Sequence, residues 1–371
     1  MKEVVLINYT GSKGGGALYA LEMAKSLIAQ NISCVAIIAS HNENLADWKK
    51  IRLEKLVVIE TYQTKLSLIV NSILFNKSRK IIIQEFKQYK IVAIFVPMIT
   101  FWSQKINSIF TDSYKILTLH DPKPHSGEFY YYLQNLLGQQ KLIRESNTII
   151  VLSSSFISDV EERYNKKSKV IYLPMGDYDY YDTVNITEAG LYNDDIINFV
   201  FFGRISKYKG LSELGEAYKN ITKITDKISL TVAGSGDFKN YEKTFNNLLN
   251  VKIVNEWIPD NELKNYFVGK NLVAVLPYLD ATQSGVIQIC KSFGVPVIAS
   301  NTGGLKEQLL DYQTASILVE PGNSKDLETQ MAKVIQNQEF KDNLFYQASK
   351  YESTDNWKDS AIEIKRILEN N

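Results

Sequence analysis

Cysteine is scarce in this chain, with two in 371 residues. Cys34 and Cys290 stand in unrelated apolar stretches, which excludes a disulfide framework and predicts two buried thiols. Histidine numbers only three, and no His or Cys cluster has the spacing of metal ligands, so no metal site is expected. Charge of one sign is missing too. The net charge is +1, and nothing in the overall balance points to nucleic acid. No segment reaches the ~18 apolar residues that a membrane-spanning helix needs. No signal peptide precedes the first apolar run, and a reducing cytoplasm is the expected compartment.

What is present is a regular alternation. The apolar fraction of 45% supplies full cores, and the length suggests two domains. Val4 to Asn8 is a continuous apolar run, as expected of a parallel strand covered on both faces. Gly11, Gly14, Gly15 and Gly16 follow, then helical spacing over Ala17 to Gln30, then a strand over Cys34 to Ala39. This is a βαβ unit. Its glycines depart from G-x-G-x-x-G, so no dinucleotide is predicted, but they let a sugar or phosphate approach the backbone. Further strands are predicted over Val57 to Glu60, Ile91 to Val96, Ile116 to Leu119, Ile149 to Leu152 and Val170 to Leu173. Asp177 to Asp194 is acidic, Tyr-rich and aperiodic, and reads as a solvated linker. A second alternating set begins at Asn198 to Phe202. It continues through Ile228 to Ala233 and Val251 to Val254, where Asp260 is expected to cap a helix. Two helices, Ser324 to Asn337 and Trp357 to Glu369, are expected at the end. Both halves therefore read as doubly wound α/β domains with parallel sheets.

The most informative stretch is Asp280 to Glu307. A strand over Leu272 to Leu276 runs through Pro277 and Tyr278 into a polar loop ending Gln283-Ser284-Gly285. A helix predicted from Gly285 would turn its free N–H groups and positive end toward that loop, which suits an anion. Val295 to Ala299 is a second strand, and Asn301 to Gly304 is the next strand-to-helix loop. A lone glycine loop is a weak signal that can also be a plain turn. Arg204 and Lys209 flank another strand-to-helix turn in the same half. A guanidinium fork and an ammonium suit a diphosphate, although either could be a surface cation. His120 ends a strand of the first half, where it can bond a ligand or share a proton, or cap local backbone. His125 and Glu128 lie just beyond. Asp177-Tyr178-Asp179 could be read as a metal-binding pair but sits in the linker. Lys77 to Lys90 interleaves five cations with Ile81, Ile82, Ile83, Phe86 and Tyr89. It could lie on an anionic membrane surface or be an ordinary solvated helix face.

Taken together, these residues resemble the retaining glycosyltransferases of family 4, which have the GT-B fold of two facing Rossmann-like domains. The resemblance spans nearly the whole chain. It rests on Phe202-Gly203-Arg204 with Lys209-Gly210, on Ala233-Gly234-Ser235-Gly236, and on Gly294 to Ala299 with Gly303-Gly304 and Glu307. Gly14-Gly15-Gly16 and His120 also fit it. The resemblance implies domains at 1–176 and 195–354, joined by a 177–194 linker, with a terminal helix over 355–371 returning to the first domain. It implies a nucleotide-sugar donor as substrate, no cofactor and no metal. Arg204 and Lys209 would hold the diphosphate with the amides of Ser284, Gly285 and Val286, and this electrostatic hold would stabilise the leaving group. Trp257 and Ile258 would meet the base. Gly15 and Gly16 would approach the donor, with His120 near the sugar, alongside Gly203 and Gly234. His125 and Glu128 would face the acceptor, a glycan or lipid-linked glycan, reached from the cytoplasm or the inner membrane face. The chain departs from the family at its two glutamates, whose places fall near Ala281 and Ile289; Asp280, Gln283 and Gln288 are the polar neighbours. The same resemblance leaves two alternatives: a nucleotide-sugar epimerase, and a non-catalytic nucleotide-sugar-binding partner subunit.

Overall fold

The computed structural model describes residues 1–62, 71, 75–122, 138–164, 168–178, 193 and 195–371. His125 and Glu128 lie outside the described residues. The continuous apolar runs fold as strands buried on both faces; all six residues of Cys34–Ala39 are buried. The first seven strands are β1 (Lys2–Tyr9), β2 (Cys34–Ala39), β3 (Lys55–Ile59), β4 (Tyr89–Val96), β5 (Tyr114–Leu119), β6 (Thr148–Val151) and β7 (Lys169–Tyr172). They form one sheet in the order β3-β2-β1-β4-β5-β6-β7. The next six are β8 (Ile197–Phe202), β9 (Ile228–Ala233), β10 (Val251–Val254), β11 (Leu272–Leu276), β12 (Val297–Ser300) and β13 (Ser316–Val319). They form a second sheet in the order β10-β9-β8-β11-β12-β13. Every pairing in both sheets is parallel. Both units are Rossmann-like, and each strand order reverses once, beside β1 and beside β8. Such sheets bind ligands outside the strand carboxyl ends at that reversal.

Seven described helices of eight or more residues accompany the sheets: α1 (Gly15–Ala29), α2 (Phe75–Phe86), α3 (Leu211–Ile221), α4 (Gly285–Ser292), α5 (Ser324–Gln336), α6 (Gln338–Ser349) and α7 (Asn356–Glu369). Of the described residues, those up to Met175 and from Asp355 onward form one compact unit, and those within Gly176–Thr354 form the other. Helix α7 belongs to the first unit because Trp357, Ala361, Ile364 and Ile367 recur at helical spacing and are all buried. Trp357 packs edge-on to Tyr19 of α1, ring centroids 5.4 Å apart, and Lys365 Nζ donates to the Gln30 carbonyl at 3.1 Å. Asp355 caps α7 by accepting from the Lys358 N–H, a bond worth about 1 kcal/mol.

Several expectations need correction. Helix α6 is additional to the two expected: three helices close the chain, because Asn337 ends α5 and its side chain caps α6 by accepting from Phe340 N–H. Asp260 is no cap. It is the first residue of a short 3-10 turn whose cap position is Pro259, with no side-chain cap bond. The basic segment splits. Phe75, Ile82 and Phe86 bury their faces in the first core, while Tyr89 starts β4. The apolar side of α2 is therefore spent inside the protein. Lys77, Arg79, Lys80 and Lys87 face outward beside Ile81 and Ile83, which are 51% and 45% exposed.

The start of the expected linker is not solvated. Asp177 and Tyr178 are buried. Asp177 Oδ2 accepts from Tyr351 Oη at 2.6 Å and from Ser353 Oγ at 3.0 Å. The Tyr351 hydroxyl also lies 2.9 Å from Asp311 Oδ2, and Asp311 pairs with Lys291, whose side chain is only 2% exposed. Ser292 Oγ donates to the Tyr178 carbonyl at 2.6 Å. An ion pair at this depth stabilises little by itself, but removing one member strands a buried charge at a cost of about 3–5 kcal/mol. Burial pushes the Asp177 carboxyl above its ordinary range, opposed by Lys291 and by the Tyr351 and Ser353 hydrogen bonds. A carboxyl raised in the fold contributes stability that is complete below its unfolded pKa and is lost as pH rises through the folded value. Wild type should therefore gain in Tm relative to Asp177→Asn as pH falls from neutral toward the ordinary Asp value of about 4. Calorimetry reads this, and a pH-independent difference would contradict the burial argument.

Candidate functional site

In the second unit, β8 and β11 are neighbours across the reversal, with Val200 paired to Ala274. The loops leaving them carry the residues that the sequence singled out. The loop after β8 runs through Gly203 and Arg204 into a short 3-10 turn, Lys207–Lys209, and Gly210 opens α3. The loop after β11 runs from Pro277 to Ser284 and opens α4. The two are tied by the Leu279 N–H donating to the Tyr208 carbonyl at 2.7 Å. Flanking loops press in backbone against backbone. A Cβ on Gly234 would fall 1.8 Å from the Gly203 carbonyl oxygen, and one on Gly303 would fall 1.5 Å from that of Ala281. No other residue type fits either place.

Lys209 is buried, 9% exposed. Its Nζ stands 3.6 Å from the centroid of the Tyr278 ring, an attraction that strengthens as water is removed. The Tyr278 hydroxyl is 3.2 Å from Ser284 Oγ. Arg204 is exposed. Each cation thus sits on the loop that leaves β8, and Lys209 is oriented by an aromatic face of the β11 loop. Helix α4 starts at Gly285, where an added Cβ would meet nothing within 4 Å. Gly285 and Val286 N–H groups have no acceptor among the described residues, as expected for a first turn. Ser284 differs from expectation: its N–H donates to Gln308 Oε1 at 2.7 Å, so it is not available to a ligand. Gln283 is half-buried, and its Oε1 is buried without a described partner. Gln288 is buried and Asp280 exposed. The two places where the family's glutamates fall hold Ala281 and Ile289, both buried among the core hydrophobics. After β10, Trp257 is 40% exposed and Ile258 is buried. Gly236 N–H donates to Asn255 Oδ1 at 3.1 Å, which fixes that loop to the one after β9.

In the first unit the reversal lies between β1 and β4. Thr10 and Thr100, at the ends of these strands, share a hydroxyl contact of 2.6 Å. Gly15 opens on empty space, whereas a Cβ on Gly16 would strike Met98 Sδ at 2.0 Å. His120 follows β5 and is 7% exposed. Its Nε2 lies 2.9 Å from the Pro97 carbonyl, which can only accept, so Nε2 carries the proton and Nδ1 is an acceptor. The Tyr19 ring packs edge-on at 4.8 Å. Burial holds His120 below the usual histidine range, against the Pro97 bond and Asp121. It is therefore neutral at neutral pH and suited to accept a hydrogen bond from a hydroxyl. Among the described residues no group of three His, Cys, Asp or Glu could hold a metal ion. Both cysteines are buried, with Cys34 pushed up to about 12.

Sequence reasoning misses Tyr278, Gln308 and Lys291. Tyr278 reads only as a strand exit. Gln308 and Lys291 act through partners far along the chain, and no local signal marks them.

Residues 185–351, nearly all of the second unit, match the family model described as glycosyl transferases group 1. No curated protein matches the chain. Solved structures similar to it include a sucrose-phosphate synthase from Thermosynechococcus elongatus, at 16% identity and TM-score 0.71, covering 100% of this chain and 99% of that one. A glycosyltransferase from Rickettsia africae matches at 16% identity and TM-score 0.68, covering 100% and 99%. Anabaena HepE in complex with UDP and glucose matches at 14% identity and TM-score 0.68, covering 98% and 99%. These likenesses show the fold, which is GT-B.

Two glycines separate packing from ligand space. Gly303→Ala, at φ 49° against a carbonyl, should lose about 3 kcal/mol or more. Gly285→Ala should stay within about 0.5 kcal/mol of wild type. Denaturant unfolding measures both, and equal effects would contradict the assignment of open space at Gly285.

Proposed function

We propose that this protein is a glycosyltransferase that moves a sugar from a nucleotide-sugar donor. The observation that carries the reading is the meeting, at one strand-order reversal, of a buried Lys209 held against Tyr278 and the open first turn of α4. The group 1 match over residues 185–351 supports it. In this reading Lys209 and Arg204 take the diphosphate oxygens, and the Gly285 and Val286 N–H groups complete the hold. Charge grows on the diphosphate as the bond to the sugar breaks. Fixed cations and amides that already point at it lower the barrier without reorganising. Trp257 and Ile258 border the base, and Gln283 and Gln288 replace the missing glutamates as hydrogen-bonding partners of donor hydroxyls.

The finer reading is a metal-independent hexosyl transfer with retention of configuration, and a growing glycan or lipid-linked glycan as acceptor. His120, neutral and with Nδ1 accepting, suits a hydroxyl of the transferred sugar. The outward cations of α2, with Ile81 and Ile83, suit an anionic membrane surface by electrostatic contact. Because the apolar face of α2 is already buried, deep in-plane insertion is not expected.

A thermal-shift screen against UDP-, GDP- and dTDP-sugars tests the donor, since a ligand that binds only the fold raises Tm by mass action. Arg204→Ala and Lys209→Ala should each cost about 1.5–3 kcal/mol of binding, roughly 10- to 150-fold in Kd. Near-wild-type affinity in both would end the proposal. Product analysis with donor alone separates an epimerase, which would release an isomerised nucleotide-sugar. Reversing Arg79 and Lys80 should release the protein from vesicles rich in anionic lipid in a sedimentation assay; unchanged sedimentation would remove the membrane element.

A further inference from the structure

Helix α4 is eight residues long, so it spans only about 12 Å. At one end lies the turn assigned to the diphosphate, and at the other the buried cluster around Lys291. Both ends are held by the segment that follows β12. Gln308 reaches Ser284, with its Oε1 accepting the Ser284 N–H at 2.7 Å and its Nε2 donating to the Ser284 carbonyl at 3.3 Å. Three residues further on, Asp311 pairs with Lys291.

A helix start leaves four N–H groups without intrahelical acceptors, and in α4 the side-chain bond decides their fate. The Ser284 N–H goes to Gln308. The Ile287 N–H turns back to the Ser284 carbonyl at 3.2 Å, and that carbonyl is itself held by Gln308. Two groups remain, Gly285 and Val286. A side-chain amide that copies a strand pairing on a single residue is a local staple. Its position one residue before the open glycine makes it a selector of which amides face the ligand.

We infer that Gln308 is a positioning residue for the diphosphate: it fixes Ser284 from both sides so that Gly285 and Val286, and not Ser284, present their N–H groups. This rests on the reading of α4 as the donor cradle. It goes beyond that reading by assigning the cradle's shape to a residue that touches no substrate.

The test uses Gln308→Met, which keeps length and apolar packing and loses both bonds, and Gln308→Glu, which keeps an acceptor for the Ser284 N–H but no donor for its carbonyl. Amide hydrogen exchange of the ligand-free protein over residues 282–288 reads the clamp without any ligand. Gln308→Met should raise exchange at Ser284 about tenfold or more, and Gln308→Glu should raise it less. Calorimetric titration with UDP and with inorganic pyrophosphate reads the cradle. Both variants should bind about tenfold more weakly, the loss expected for one or two hydrogen bonds, with Tm shifted far less than in Gly303→Ala. Unchanged exchange at Ser284 in Gln308→Met would overturn the clamp. Faster exchange with undiminished UDP and pyrophosphate affinity would overturn the positioning role. Faster exchange in the variants, in a protein whose wild type binds neither probe, would uphold the clamp and refute the donor reading instead.

Discussion

A parallel sheet that grows in both directions from its first strand must send neighbouring loops to opposite faces where its order reverses. That constraint governs this molecule. The chain departs from β8 toward α3 and from β11 toward α4, and the two exits meet over the strand ends, tied by the Leu279 N–H to the Tyr208 carbonyl. Lys209, Tyr278 and the first turn of α4 lie at these two exits. The close backbone approaches at Gly234 and Gly303 draw the loops after β9 and β12 inward, so the rim becomes peptide rather than side chain. Peptide is rigid and presents N–H groups at fixed positions, which suits recognition of oxygen-rich anions.

Much of this is legible in the residues. Continuous apolar runs bounded by turn residues read as covered strands, and Cys34–Ala39 and Leu272–Leu276, buried throughout, fall where the runs fall; the strands expected at Ile228–Ala233 and Val251–Val254 form as well. The glycine-rich exits announce where loops crowd. Helix α6 goes unread although Phe340, Leu344, Phe345 and Ala348 recur at helical spacing; only Leu344 and Ala348 are fully buried, and the helix follows α5 with Asn337 as the one residue between them. The burial of Asp177 is not legible either. An acidic, aperiodic stretch reads as solvated, and only partners more than a hundred residues away, Lys291 and Tyr351, make its burial tolerable. Gln308 shows the same limit from the other side. Its role is defined by what it pairs with, and a lone glutamine carries no periodicity.

The loss of two acidic side chains at Ala281 and Ile289 is also easier to understand in the fold. Both positions are packed among apolar neighbours of the second core. Carboxylates there would be costly unless a bound group satisfied them. The chain has apolar residues in their place and glutamines beside them, which can donate as well as accept.

The return of α7 to the first unit carries a consequence for biosynthesis. The described residues of the second unit all precede α7 in the chain. The first unit depends on α7: its α1 face, with Tyr19 between His120 and Trp357, is covered only once α7 has been made. The unit begun first thus waits for a helix made after every described residue of the second unit, and its α1 face is open through that interval.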